Sequence, residues 1–263
     1  MKAPYDVQPK RREVKHILVG IAGWSNPPSQ RAGRQAGQSH LVYYAEHFAC
    51  VEVNSTFYRP HRKQTYLRWR EETPPHFRFS VKMPASITHE ARLRHCAAEV
   101  ARFYEEAGQL QPKLAAVLLQ LPPSLEFNVA TFRAFFKKVP ALHGTVVACE
   151  PRHASWFTPA ANDALLRANV SRVAADPVRP QSCELPGGAR SFAYYRWHGT
   201  PRIYYSKYTD AQLVNFAADV TMAAARTSWC IFDNTARYAA WDDALRFMRV
   251  VATGPRSTNR TPG

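Results

Sequence analysis

The chain has 263 residues, of which 46% are hydrophobic and 21% charged, enough apolar matter for a large core and too much for global disorder. Lys and Arg number 35 against 20 Asp and Glu, and the resulting charge of +15 favours anionic partners: nucleic acid, phosphorylated metabolites or an anionic membrane surface. No apolar run approaches the ~18 residues of a membrane helix, which excludes membrane insertion by a helix.

Residues 1–15 are polar and charged, lack the apolar centre of a signal peptide, and read as a tail. The densest basic stretches are Lys10-Arg11-Arg12 within it and RPHRKQTYLRWR at 59–70; neither is a long basic arm. From residue 16 onward, short apolar or β-branched runs alternate with helical patterns. The runs are 17–22, 50–54, 77–82, 115–121, 145–150, 170–175, 192–198 and 228–233, and the helical patterns are 41–48, 65–72, 98–107, 131–139, 160–168, 211–225 and 241–250. Alternating strands and helices imply a parallel sheet with right-handed crossovers. Eight strands over this length are the scale of a single (β/α)8 barrel of the TIM type, spanning 16–252.

The sixth unit is irregular, because 176–190 carries three prolines and two glycines and predicts a loop in place of a helix. The competing layout, an open doubly wound sheet, needs a GxGxxG turn after the first strand, and the chain offers only Gly20 and Gly23. Residues 253–263 predict a disordered tail. Cys50, Cys96, Cys149, Cys183 and Cys230 are odd in number, with no CxxC pair, which argues against zinc knuckles, redox motifs and a disulfide framework. Buried thiols in a reducing compartment, the cytoplasm, are the expectation.

In such a barrel the inward side chains alternate along each strand, and chemistry sits at the strands' C-terminal ends. Parity puts Glu52 and Asn54 on one face of the second strand and Ser80 with Lys82 on one face of the third. Gln120 falls late on the fourth, and Glu150 aligns with Arg152 at the end of the fifth, followed by His153. Tyr194, Arg196 and His198 share a face of the seventh, and Asp233-Asn234 closes the last. Buried charges cost several kcal/mol each unless paired. Their collection at six strand ends therefore predicts either a polar pocket or a salt-bridge network pairing Glu52 with Lys82 and Glu150 with Arg152.

As a pocket, the set is rich in cations. Lys82, Arg152 and Arg196 suit a phosphate or carboxylate, Arg as a bidentate fork and Lys as a point charge. His198, His153 and His89 transfer protons near neutral pH, with Glu150 or Glu52 as base or orienting group. Glu150, Asp176, Asp233 and His198 offer oxygen and imidazole to Mg, Mn or Zn, but Arg152 and Arg196 beside them repel a cation, so no metal is assigned. Glu52 and Glu150 also admit a paired-carboxylate glycosidase. Neither a GxSxG elbow nor a Walker loop occurs. Trp24, Phe57, Tyr58, Trp156 and Trp197 lie in or beside the strand-end loops, where they either stack on a base or sugar or cap the core.

The stretches GIAGWS (20–25), VEVNSTFYRP (51–60), FSVKMP with ITHE (79–90), LLQLPPS (118–124), CEPRHASW (149–156), YRWHG (195–199) and IFDNTA (231–236) resemble the YecE-like family, the domain of unknown function numbered seventy-two. The resemblance runs over about residues 17 to 250 and implies a TIM-type barrel without supplying a function. It marks Glu52, Asn54, Tyr58, Lys82, His89, Gln120, Glu150, Arg152, His153 and His198 as positions defining the site. Pro151 and Asp233 depart from the family's pattern. Pro151 lacks a ladder donor, so the fifth strand should end at Glu150.

The reading that follows is an enzyme without a redox cofactor (a hydrolase, isomerase or lyase) acting on an anionic small molecule. Glu150, His198, Glu52 and His153 would do the proton chemistry. Lys82, Arg152, Arg196, Asn54, Tyr58, His89, Gln120, Trp24, Asp233 and Asn234 would hold the substrate. The alternatives are a nucleic-acid-binding or processing protein and a ligand-binding barrel without catalysis. No oligomeric state is assigned.

Overall fold

The computed structural model describes residues 15–140, 142, 144–177 and 185–254. The expectations for the two tails, apart from Lys15, Thr253 and Gly254, and for Cys183, lie outside the described residues. Strands β1 (His16–Ala22), β2 (Cys50–Val53), β3 (Arg78–Lys82), β4 (Leu114–Gln120) and β5 (Val146–Glu150) pair in parallel in chain order. The sixth stave is split at Val173. Its first half, β6 (Val170–Arg172), pairs with β5, and its second half, β7 (Ala174–Asp176), pairs with β9 (Phe192–Trp197). β10 (Thr227–Phe232) then joins β9 to β1 and brings the sheet round into a nearly closed barrel. The eight expected staves are all present.

Around them lie α1 (His40–Ala45), α2 (Ser55–Tyr58), α3 (Lys63–Glu72), α4 (Ala97–Ala107), α5 (Val129–Phe136), α6 (Pro159–Arg167), α7 (Asp210–Met222) and α8 (Ala239–Thr253). Several starts are written locally: Asn128, Thr158 and Thr209 each accept a first-turn N–H, and Thr209 with Gln212 forms a capping box. Between β7 and β9 the described residues hold no helix. They do hold β8 (Gly187–Gly188), which runs antiparallel to β6 where the sequence predicts only loop. Two other features escape hydrophobic periodicity through their shortness, namely α2 and a π-helical turn at Ser86–Glu90.

Burial on both faces explains why the strands read as continuous apolar runs. Val51, Val53, Phe79, Val81, Val117 and Leu119 face outward under the helices. Cys50, Ala116, Leu118, Ala148, Phe192, Tyr194, Trp229 and Ile231 fill the barrel's interior, with Tyr194 stacked on Trp229 at a centroid distance of 6.0 Å. The large rings occupy one side and the small residues the other. This floor supports the polar layer above it. Cys50, Cys96, Cys149 and Cys230 are buried and unbridged, and burial raises each thiol's pKa, as expected of inert cysteines. No helix among the described residues is long and apolar enough to cross a membrane.

At Gly20 the strands β1 and β2 approach so closely that a Cβ would lie 2.3 Å from the Cys50 carbonyl oxygen. Backbone cannot yield there as a side-chain tip can. Gly20→Ala should therefore cost about 1–3 kcal/mol, read as a lower urea midpoint with an unchanged slope. An unchanged midpoint would show that the two strands part freely.

Candidate active site at the barrel mouth

Parity carries polar side chains upward from the apolar floor. Above Cys50 comes Glu52; above Ala148 comes Glu150; above Phe192 and Tyr194 come Arg196 and His198; above Ile231 comes Asp233. Arg196 stands at the centre, fully buried. Its Nε and Nη2 donate to Glu52 Oε2 and Oε1 at 2.9 and 2.7 Å. Nη1 donates to Glu150 Oε2 at 2.6 Å, and Nη2 also reaches Asp233 Oδ2 at 2.9 Å. One guanidinium thus holds carboxylates from three strand ends. Tyr194 supports it from below, donating to Glu52 Oε2 at 2.8 Å and meeting Ser80 Oγ at 2.9 Å.

His198 bridges two of the same acids, with Nδ1 2.9 Å from Asp233 Oδ2 and Nε2 3.2 Å from Glu150 Oε1. Arg152 Nη2 lies 2.6 Å from Glu150 Oε1, so the chain beyond Pro151 bends the Arg152 side chain back onto its neighbour. The strand ends at Glu150, as the proline requires. The Glu150–Arg152 pair therefore forms. The Glu52–Lys82 pair does not, because Arg196 occupies both oxygens of Glu52.

Burial works against the charges of Glu150, Asp233 and His198, and their neighbours outweigh it. It pushes Glu150 upward, but Arg196, Arg152 and His198 hold that carboxyl well below its ordinary value. Asp233 is lowered against burial by Arg196 and His198. Burial disfavours the His198 imidazolium, yet hydrogen bonds to Asp233 and Glu150 raise its pKa. Three carboxylates face Arg196, Arg152 and Lys82, so a protonated His198 leaves the cluster with one surplus positive charge.

Lys82 is the distinctive member. It is only 7% exposed, has no carboxylate within 4 Å and no hydrogen-bond acceptor among the described residues, and its Nζ lies 4.2 Å from the centre of the Phe57 ring. Burial, then repulsion from Arg196, lower its pKa to about 8, against the pull of Glu52, Glu150 and Asp233. His89 stands beside it on the π-helical turn, its ring 4.9 Å from that of Phe57, and burial and Lys82 lower its pKa. The segment that follows places Arg92, Leu93 and His95 at positive φ, strain of the kind that clusters at functional sites.

The family profile described as "Protein of unknown function DUF72" matches residues 18–263. The chain belongs to the DUF72 family. It is 37% identical over 142 residues to the UPF0759 protein YecE of Escherichia coli (strain K12), a stretch covering 54% of this chain and 50% of that protein. It is 31% identical over 152 residues to the UPF0759 protein YunF of Bacillus subtilis (strain 168), covering 54% of this chain and 53% of that one. The matched stretch thus spans about half the length of each. A crystal structure of a DUF72 family protein from Enterococcus faecalis V583 superposes with a TM-score of 0.77 over 94% of this chain and 99% of that one, at 20% identity. At that identity the likeness speaks for the fold.

Within this DUF72 barrel the expected site residues divide. Glu52, Glu150, Arg152, Arg196, His198 and Asp233 form one connected cluster, with Lys82 and His89 beside it. Asn54, just past β2, and Gln120, the last residue of β4, lie at the same mouth; among the described residues Asn54 Oδ1 is buried without a partner, and Gln120 lies opposite Glu150 in the ladder. The remainder lie outside this cluster. His153 binds Ser155 with Nδ1 and caps a short helix. Asn234 donates to Asp243 and to the Ser206 carbonyl, tying the loop after β9 to α8. Trp24 packs edge-on against Trp69, and Tyr58 is 83% exposed. Trp156 and Trp197 pack into the helical layer as core. Asp176 accepts from Thr200 and Tyr208, apart from the cluster.

Tyr194 and Ser80, which parity places on the same inward faces but which were not among the expected site residues, join the cluster through Glu52. Tyr204 also joins, its ring 5.9 Å from His198 and edge-on to it. Its loop begins at Gly199, whose φ of +95° and crowding against the Ser206 carbonyl exclude a side chain. Among the described residues no three His, Cys, Asp or Glu side chains are arranged to hold a metal ion.

Replacing Arg196 by Met strands three buried carboxylates and should cost about 3–5 kcal/mol in urea unfolding; a loss under 1 kcal/mol, by the same measure about that of a surface pair, would contradict the central role. The pH dependence has two limbs. Glu150 and Asp233, lowered on folding, stabilise above the unfolded carboxylate range, and that stability is lost as pH falls below about 4. His198, raised on folding, stabilises fully below about pH 6.5 and loses its contribution as pH rises through its folded value. A Tm profile should show both limbs, with His198→Gln abolishing only the alkaline one.

Proposed function

We propose that the protein is an enzyme whose barrel mouth binds an anionic small molecule, a carboxylate or phosphate, and carries out general acid/base chemistry on it. The observation that carries this reading is Lys82, a buried cation that the neighbouring carboxylates do not pair. A buried charge without a counter-ion is costly, and an incoming anion relieves that cost. Arg152 lies beside the same mouth, its side chain 22% exposed and its Nε without a partner. Arg196 does not bind the ligand directly, since its donors are already committed to three acids.

The proton chemistry falls to His198 and Lys82. Glu150 and Asp233, held as carboxylates, orient His198 and stabilise its imidazolium; neither retains a proton to give. The surroundings favour an anion further. The loops that follow the strands expose Arg59, Arg62, Arg94, Arg202 and Arg237, against the exposed acids Glu90 and Glu126. Such a rim steers anions toward the mouth.

A second reading rests on the same rim. Tyr58 and Tyr205 are exposed there, and Arg202 lies 4.0 Å from the centre of the Tyr205 ring. Exposed aromatics beside arginines suit the stacking and phosphate contacts of single-stranded nucleic acid.

Thermal-shift titration at fixed ionic strength separates the two. Phosphate or a small carboxylate should raise the Tm of the wild type, and Lys82→Ala should weaken that binding by about tenfold, about 1.4 kcal/mol. Oligonucleotides that shift the wild type and Lys82→Ala equally, with a steep salt dependence, would move the function to the rim. No response to any small anion would overturn the proposal.

A further inference from the structure

We propose that Lys82 is a covalent nucleophile that forms an imine with an aldehyde or ketone bearing a carboxylate or phosphate. The inference rests on the anion-binding reading and names the substrate class of that same mouth.

The protein contains an internal contrast. Lys113 is also buried, but its ammonium donates to the carbonyls of Arg70 and Thr73 at 2.5 and 2.6 Å and reaches Thr73 Oγ1 at 3.1 Å. Those three acceptors hold its protons and make it a structural tie. Lys82, at the end of β3 and buried to a similar degree, has the face of Phe57 and, among the described residues, no acceptor. A lysine placed among apolar surface and beside a second cation, here Arg196, loses its proton more readily than a solvated one, and its free amine is the nucleophile. Near neutrality a usable fraction of Lys82 is that amine.

The site supplies the remaining parts. With the carbonyl carbon at Lys82 Nζ, the anionic group of the same molecule is assigned to Arg152 at the same mouth. Attack forms the C–N bond and moves the carbonyl π electrons to oxygen, giving a carbinolamine. The proton shed by the nitrogen passes to that oxygen, directly or through His89, whose ring also packs on Phe57. A second proton transfer to oxygen releases water and leaves the C=N bond. The balance is one amine and one carbonyl to one imine and one water, with no oxidant or reductant. Uptake of one proton from solvent at the imine nitrogen gives the positive iminium, an electron sink for proton removal or bond cleavage at the adjacent carbon, the step shared by lyases and isomerases of this type.

The test is reductive trapping. The purified 263-residue chain is mixed with pyruvate or glyceraldehyde 3-phosphate and sodium cyanoborohydride, and analysed by intact mass and peptide mapping. In parallel, the Tm shift caused by pyruvate and by inorganic phosphate is recorded without reductant. The expected result is one reduced adduct per chain, mapped to Lys82, absent from Lys82→Arg, and suppressed by excess phosphate. Adducts spread over several lysines, or persisting in Lys82→Arg, would overturn the proposal. A Tm shift that depends on Lys82 without any adduct would overturn the imine and leave the anion site standing. Neither shift nor adduct would overturn both. Mapping on the wild type keeps the result decisive even if Lys82→Arg folds poorly.

Discussion

The mouth of this barrel depends on a single guanidinium held by three acids. Arg196 sits where a barrel built for stability alone would carry a branched aliphatic residue. Its burial is tolerable because its fixed fork meets a carboxylate from each of β2, β5 and the end of β10. A lysine could not replace it, since a point charge cannot satisfy one acid in bidentate fashion and two more from its other edges. The contacts to Glu52 and Glu150 link β9 to staves that are not its neighbours in the sheet, so the electrostatic layer also braces the barrel across its interior.

The fate of every other polar group at the mouth follows from that arrangement. Glu52 is saturated by Arg196 and Tyr194, which removes it as a partner for Lys82. Glu150 is shared among Arg196, Arg152 and His198, which fixes it as an anion. Lys82 is what the pairing leaves over, desolvated and repelled by Arg196. The reactive residue in this account is produced by the structural ones. The contrast with Lys113, which is satisfied by backbone carbonyls, separates burial as such from burial without acceptors.

Much of this was readable in advance because the barrel obeys two simple periodicities. Alternating βα units gave the staves, and inward parity gave Glu52, Lys82, Glu150, Arg196 and His198 on one face. The end of β5 followed from Pro151 having no N–H. The pairing was not readable: Glu52 and Arg196 are 144 positions apart, and no local pattern distinguishes Lys82 from Arg196 as the partner of Glu52. Tyr204 was invisible for a related reason, since its ring reaches His198 through a turn set by Gly199. His153 and Asn234 carry functional residue types, but local capping and a tie to α8 consume their hydrogen bonds.

By itself, then, the sequence determined the βα order, the inward face of each strand and the family motifs, because each depends on residues close together along the chain or on a fixed period. Only the tertiary structure decided which charge meets which. That depends on distances between side chains delivered by different strands, and on burial, which makes an unpaired charge costly. The exclusion of Lys82 from the ion-pair network belongs to that second class, and it is the feature on which the proposed chemistry turns.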